Sequence, residues 1–202
     1  MSFAFHLGDA INPGSEANVN RQPRLHMPAT PEDLIAHLTS IGVAHTTTPH
    51  RPIFTVEEGT DLKRAIPGGH SKNLFLKDKK GSLWLICALG DTRIDLNATA
   101  RHLGVSRFSF GSPDLLLDVL GVTPGSVTLF ALINDPSHRL RLVLDAALLA
   151  CEHINFHPLT NAATTTIERD GLFRFLEVHG RVPLVLHFDE AGWPHAENPK
   201  TD

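Results

Sequence analysis

Apolar residues fall along this chain in short runs broken by polar turns rich in glycine, proline and aspartate, so most of the elements it encodes are brief. Thr30-Pro31-Glu32-Asp33 opens the first helix with a threonine N-cap, a proline whose missing N–H costs nothing at the first helical position, and two acids in the first turn. Leu34, Ile35, Leu38 and Ile41 give it one apolar face, and Gly42 ends it. A threonine-rich strand is expected over 43–50, interrupted by Pro49, and a second helix over 55–66, closed by Pro67. Residues 73–77 and 82–89 are apolar runs joined by Asp78-Lys79-Lys80-Gly81, the clearest hairpin in the chain. Asp95 is placed to cap a helix that Gly104 terminates. Ser112-Pro113-Asp114 opens another that turns Leu115, Leu116 and Val119 inward. Further strands are expected at 128–132, 140–144, 153–157, 163–167 and 183–188, with a last helix over 170–178. Helices interspersed with short strands, several joined by hairpins, predict an α+β fold in which helices pack on a mixed sheet.

Composition narrows the possibilities. At 202 residues, 42% hydrophobic and 20% charged, the chain suits one globular domain with a substantial core. It has no apolar run long enough to span a bilayer and no signal-peptide pattern, so a cytoplasmic location without a membrane partner is expected. Cys87 and Cys151 lie far apart in apolar surroundings, which reads as two buried thiols. Residues 1–26 lack sustained periodicity and read as a loosely ordered extension, dispensable or preceding the true start at Met27. Those from 190 to 202 read as a polar tail, which leaves 27–189 as the folded unit.

A net charge of −4 argues against nonspecific nucleic-acid binding by the whole surface. Its distribution is uneven. Arg51, Lys63, Arg64, Lys72, Lys77, Lys79 and Lys80 cluster against Glu57, Glu58, Asp61 and Asp78, and such a local surface could hold a few phosphates.

These features converge on Pro67-Gly68-Gly69-His70-Ser71-Lys72-Asn73, expected to be a flexible turn that feeds the strand at 73–77. At a period of two, Lys72 shares a strand face with Leu74 and Leu76, so its stem lies along apolar surface and its ammonium emerges at a rim. That arrangement suits a cation aimed at an anionic or polarised ligand, although a lysine between loop and strand is by default a solvated charge. Other chemistries find less support. His153 and His157 are four apart, but Ile154 and Phe156 alternate as in a strand, and His-Glu-x-x-His is absent. Gly69-His70-Ser71-Lys72-Asn73 lacks the glycine that a nucleophile elbow places two residues after its serine. Glycine-rich nucleotide cradles are also missing.

Four stretches, in this order, make a wider pattern: Gly69-His70-Ser71-Lys72-Asn73-Leu74-Phe75-Leu76-Lys77-Asp78, Gly121-Val122-Thr123-Pro124-Gly125-Ser126-Val127, Ile133-Asn134-Asp135, and Phe156-His157-Pro158-Leu159-Thr160-Asn161 with Thr164-Thr165-Thr166-Ile167. Over residues 27–189 they resemble the YbaK/prolyl-tRNA-synthetase-associated editing domains, and among these the free-standing branch that deacylates Ala-tRNA(Pro). The resemblance implies a mixed, strongly curved, barrel-like β-sheet with packed helices. It also implies hydrolysis of the ester joining alanine to the 3′ end of tRNA(Pro), without metal or cofactor, in a mechanism where the substrate's own ribose 2′-hydroxyl helps activate water. Prolyl-tRNA synthetase is a further candidate partner.

Carried over residue by residue, Lys72 is the catalytic group, contacting the terminal phosphate or the ester. Asn73, the loop residues Gly121, Thr123, Pro124, Gly125 and Ser126, and His157 line the substrate. Thr165 is the threonine of its strand expected to point into the pocket. Arg51, Lys63, Arg64 and Lys77 are candidates for wider tRNA contact. Two alternatives stay open: a non-catalytic module of the same fold that grips an aminoacyl or tRNA end, and a deacylase for another small amino acid, cysteine or serine.

Overall fold

In the computed structural model, which describes residues 27–52, 62 and 64–196, helix α1 (Pro31–Ser40) starts at a full capping box. The Thr30 hydroxyl accepts from Asp33 N (3.1 Å), and the Asp33 carboxylate accepts from Thr30 N (2.9 Å). Leu34 and Leu38 are fully buried on its inner face. The chain continues through β1 (His45–Pro49), β2 (Gly69–Asp78), β3 (Leu83–Leu89), α2 (Leu96–His102), β4 (Phe108–Phe110) and α3 (Pro113–Leu120). A 3₁₀ segment (Leu129–Asn134) follows, then β5 (Leu140–Asp145), α4 (Ala146–Leu149), β6 (His153–Phe156), β7 (Ala163–Glu168), α5 (Arg169–Val178), β8 (Leu184–Phe188) and β9 (Pro194–Ala196).

The strands form one mixed sheet in the order β1-β7-β6-β2-β3-β5-β8-β9, with β4 paired to β2 off this path. The pairs β2/β6, β3/β5 and β5/β8 are parallel and the rest antiparallel. The sheet is strongly curved but not closed, since β1 and β9 remain its edges, so the expected barrel-like form is an open one. Because side chains alternate along each strand, this register sorts them onto two faces. On one face Phe75, Leu85, Cys87, Leu144, Ile154 and Phe156 join α1, α3, α5 and the 3₁₀ segment in the larger core. On the other, Leu76, Trp84, Ile86, Val143 and Leu186 pack with Ala100 and Phe108.

Several elements differ from expectation. The apolar run at 128–132 is not a strand: Thr128 caps the 3₁₀ segment, accepting from Phe130 N, and Leu129, Phe130, Ala131 and Leu132 are all buried. An apolar run buried on every side carries no periodicity by which strand and helix could be told apart. The turn expected before residue 73 is strand as well. β2 begins at Gly69, which pairs with Ile154, while Ser71 pairs with Leu89, and neither partner is local in sequence. Three short elements were not anticipated: β4, β9, and the single turn α4 that Asp145 caps. β9 also orders part of the stretch expected as a polar tail, through its pairing with β8.

The helix expected over 55–66 lies mostly outside the described residues, although Leu62, Arg64 and Ala65 are helical. The extension at 1–26 lies outside them altogether. Both cysteines are free, Cys87 buried and Cys151 half-buried, and burial pushes the Cys87 thiol up.

Helices α1 and α5 meet through His37 and His179, whose Nε2 atoms are 3.0 Å apart beside the Phe175 ring. A single hydrogen serves that contact, so one ring donates and the other accepts. Burial, reinforced by the nearby His37, Arg181 and His138, lowers the His179 pKa from 6.5 to about 4. Between those two values the unfolded chain binds a proton at this position that the folded chain refuses, so stability rises with pH there. Thermal melts should therefore show a stability contribution that is whole above pH 6.5 and is lost as pH falls towards 4. His179→Gln should flatten that part of the profile. An unchanged pH profile in the variant would remove His179 from the explanation.

Candidate active site

Strand β2 is paired along one edge with β3 from Ser71 to Lys77. Its other edge changes partner. Gly69 and His70 pair with β6, whereas Leu76 to Asp78 pair with β4 and the Phe75 carbonyl accepts from Gly111 N (3.0 Å), so among the described residues no strand pairs with 71–74 on that side. Lys72 lies within this opening, half-buried, in the interior of a strand and not at its mouth. The junction is fixed from below: Asn155, buried on β6, donates to the Pro67 carbonyl (3.1 Å) and accepts from the Thr166 hydroxyl (2.5 Å). Gly68, at φ +109°, sits so close to β6 that a Cβ there would stand 2.7 Å from the His153 carbonyl oxygen.

Alternation decides which side chains meet. Lys72 shares its face with His70 and, through the pairing of His70 with Asn155, with Asn155 and Thr166. His157 follows the end of β6 directly and lies close enough to His70, on the Lys72 face, for the two charges to interact. His157 is half-buried, and its Nδ1 lies 3.4 Å from the Ala163 carbonyl, so that nitrogen carries the hydrogen and the neutral ring presents Nε2 as an acceptor. Burial lowers the His157 pKa below the usual imidazole value; the Ala163 bond opposes the shift, and the charges of His50 and His70 add to it. His50, absent from the sequence-based set, is tied to this group by a 3.0 Å bond between its Nε2 and the Thr164 hydroxyl. The signal for it is non-local, since only the pairing of β1 with β7 places Pro49 opposite Ala163 and brings the next residue, His50, to Thr164.

The loop 121–127 approaches from the other end of the same cluster. Thr123-Pro124-Gly125-Ser126 forms the expected Pro-Gly turn, closed by Ser126 N on the Thr123 carbonyl (3.0 Å), with Gly125 at φ +90°. Thr123, Pro124 and Gly125 are exposed and Ser126 is buried. A Cβ on Gly125 would stand 3.6 Å from Asn161 Nδ2, so the turn adjoins the loop that His157 begins. Gly121 caps α3 in the left-handed region, and Asn134 holds it in place by accepting from Ala29 N and donating to the Leu120 carbonyl (both 2.8 Å). Asp135 has a structural task, accepting from Arg139 N and Leu140 N and pairing with the buried Arg181 at 2.9 Å.

Not every expected residue is brought to this group. Asn73 places its side chain on the face opposite Lys72; its amide donates to the Ser71 hydroxyl (3.2 Å), and its buried Oδ1 has no hydrogen-bond partner. Thr165 is fully buried on that opposite face and bonded to Thr47 (2.8 Å), so Thr164 and Thr166 are the threonines on the Lys72 face. Lys77 is exposed five residues further along β2, about 17 Å away at the usual strand rise. Arg51 is exposed next to His50, Arg64 is exposed beyond the far end of the β2 junction, and Lys63 lies outside the described residues. His153 lines a cavity with Thr46, Thr48, Ile66, Gly68 and Thr166, and Thr166 also belongs to the Lys72 face. Among the described residues no group of three His, Cys, Asp or Glu side chains is placed to hold a metal ion.

Both the sequence and the fold have known relatives. The profile of the family described as "Aminoacyl-tRNA editing domain" matches residues 50–175. Prolyl-tRNA synthetase associated domain-containing protein 1 of Xenopus laevis is 37% identical over 163 residues, covering 78% of this chain and 96% of the relative. Prolyl-tRNA editing protein ProX of Acetoanaerobium sticklandii is 31% identical over 148 residues, covering 73% and 90%. Among solved structures, a protein described as a candidate trans-editing enzyme for prolyl tRNA synthetase shares the fold, with a TM-score of 0.56 at 21% identity over 78% of this chain and 95% of that one.

Gly121 gives the loop its sharpest test. A Cβ there would stand 2.4 Å from Pro28 Cβ in a backbone conformation, φ +65°, that L side chains rarely adopt. Gly121→Ala should cost roughly 1 to 3 kcal/mol, from left-handed strain plus the clash. The check is a lower urea midpoint at unchanged m value; a midpoint equal to wild type would contradict the packing described.

Proposed function

Because the chain belongs to the aminoacyl-tRNA editing domain family, we propose that it is a metal-independent, trans-acting deacylase that hydrolyses Ala-tRNA(Pro). What supports the reading is that Lys72 shares its face with His70, which His157 approaches, at the point where β2 has left β6 and not yet met β4. A single-stranded tRNA end is thin and flexible enough to enter such an opening, held by phosphate contacts and by stacking. Arg51 and Arg64, with Lys63, are the cations nearest in sequence to its approach.

The chemistry asked of the site is modest. An aminoacyl ester is already activated: water attacks the carbonyl carbon, the bond to the ribose oxygen breaks, that oxygen takes a proton, and free alanine leaves. The protein has to seat the ester and stabilise the oxyanion, and one well-aimed donor contributes roughly 3 to 4 kcal/mol. Lys72 supplies that donor, directly or by fixing the terminal phosphate, while the ribose 2′-hydroxyl assists the water as the family resemblance implies. His157, neutral because of its burial, offers Nε2 to the water or the amino group. A second site is needed because a synthetase pocket shaped for proline rejects a smaller side chain by only about 1 to 3 kcal/mol per missing methylene. A narrow editing pocket then excludes proline by size.

Single-turnover deacylation of Ala-tRNA(Pro), with Cys-, Ser- and Pro-charged tRNA alongside, tests the assignment. Lys72→Ala should slow the alanine reaction about 100- to 1,000-fold, the usual effect of losing an oxyanion donor, and EDTA should change nothing. Equal rates for wild type and variant would remove Lys72 from the mechanism. Absence of turnover on every substrate would make the domain a binding module. Because the His157 pKa is lowered, the acid limb that disappears in His157→Gln should have its midpoint below pH 6.5. A midpoint above that value would contradict a neutral His157.

A further inference from the structure

The Lys72 ammonium donates to the backbone carbonyl of Thr92, twenty residues on in the loop after β3. That loop is held in turn by a fully buried carboxylate. Asp145 Oδ2 accepts from the Thr92 hydroxyl (2.5 Å) and from Leu89 N (3.1 Å), while Oδ1 accepts from Ala147 N (3.0 Å) at the start of α4. Asp145 is 0% exposed. The register sets the three residues in one row: Lys72 pairs with Ala88, and the β3/β5 ladder that joins Cys87 to Leu144 brings Asp145 beside Ala88 on the same face.

From this relay we infer that Thr92 and Asp145 are positioning residues for the Lys72 amine, an inference that rests on the reading of Lys72 as the catalytic group. An ammonium has three N–H donors on a stem of four freely rotating bonds, so an unanchored lysine spreads its charge over many directions. Anchoring one donor on a fixed carbonyl sets the direction in which the ammonium is presented. The carbonyl is fixed only if the Thr92 side chain is, and that side chain is tied to Asp145. A carboxylate suits the task because it accepts without donating: its two oxygens serve the end of β3, the following loop and the first turn of α4 together. Asparagine in its place would turn a donor towards one of these groups. Neither residue touches the substrate in this account; both act through Lys72.

The test compares Thr92→Val, which removes the hydroxyl but keeps the carbonyl, with Thr92→Ser, which keeps both, and with Asp145→Asn. Thr92→Val should slow single-turnover deacylation of Ala-tRNA(Pro) by about 10- to 100-fold, the effect of misplacing a reacting group by about an ångström, with KM unchanged. Thr92→Ser should restore the rate. Independently of activity, acylation of Lys72 by an amine-reactive reagent, followed by peptide mass spectrometry, should be several-fold faster in Thr92→Val and Asp145→Asn than in wild type or Thr92→Ser. Melting temperatures show which variants fold, and Thr92→Val carries the test if Asp145→Asn does not. Wild-type deacylation and wild-type labelling in Thr92→Val would overturn the inference while leaving Lys72 as the catalytic group. Faster labelling in Thr92→Val together with full activity in Lys72→Ala would instead uphold the anchor and overturn the catalytic reading.

Discussion

Strand β2 takes β6 at its start and β4 at its end along the same edge, and the residues between these partners are where the sheet opens. A backbone edge left open inside a domain is unusual, because unpaired N–H and C=O groups away from water are costly. Here the opening is bounded by rigid pairing: β3 runs the length of the other edge, and Asn155 with Gly68 locks the parallel start against β6. Strand alternation then does the sorting. It sends Phe75 into the larger core and Lys72, His70 and Asn155 to the opposite face, so a one-residue slip of β2 would turn the lysine towards the larger core and Phe75 away from it. The position of the amine is thus a consequence of the packing of Phe75, Leu76 and the β3 ladder.

Much of this was legible in the chain, for reasons that differ by element. Helix starts were readable where capping chemistry is local: Thr30, Asp95 and Ser112 all cap as their sequences indicate. The Pro-Gly turn before Ser126 was legible because proline fixes a negative φ and glycine takes a positive one without steric cost. By contrast, the 3₁₀ segment at Leu129–Asn134 is buried all round and gave no period to read. The candidate site was legible only in part. Lys72, His157 and the 121–126 loop stand out as motif, whereas His50, Thr164, Thr92 and Asp145 are ordinary residues until β1 meets β7 and β3 meets β5. Thr165 illustrates the converse, since only the register distinguishes it from the neighbours that share the Lys72 face.

The polar groups around the opening fall into two kinds. Asp135 pairs inward with Arg181, and Asn134 ties Ala29 to the Leu120 carbonyl where the 121–127 loop leaves α3. His157 and Lys72 each commit one donor to a backbone carbonyl, which sets the direction of the ring and of the amine. That division is what a hydrolytic site on a preactivated ester requires: little chemistry of its own, but donors and acceptors whose directions are set before the substrate arrives.

The central claim is that the aminoacyl end is received between Lys72 and His157. A crystal structure of the protein with a non-hydrolysable 3′-alanylamido-adenosine tests it most directly. The account predicts Lys72 Nζ within hydrogen-bond distance, about 3 Å, of the carbonyl oxygen or the terminal phosphate, with the alanyl group beside the Pro124 turn. Adenosine density seated elsewhere, with Lys72 still turned wholly to Thr92 and no contact to the ligand, would contradict it.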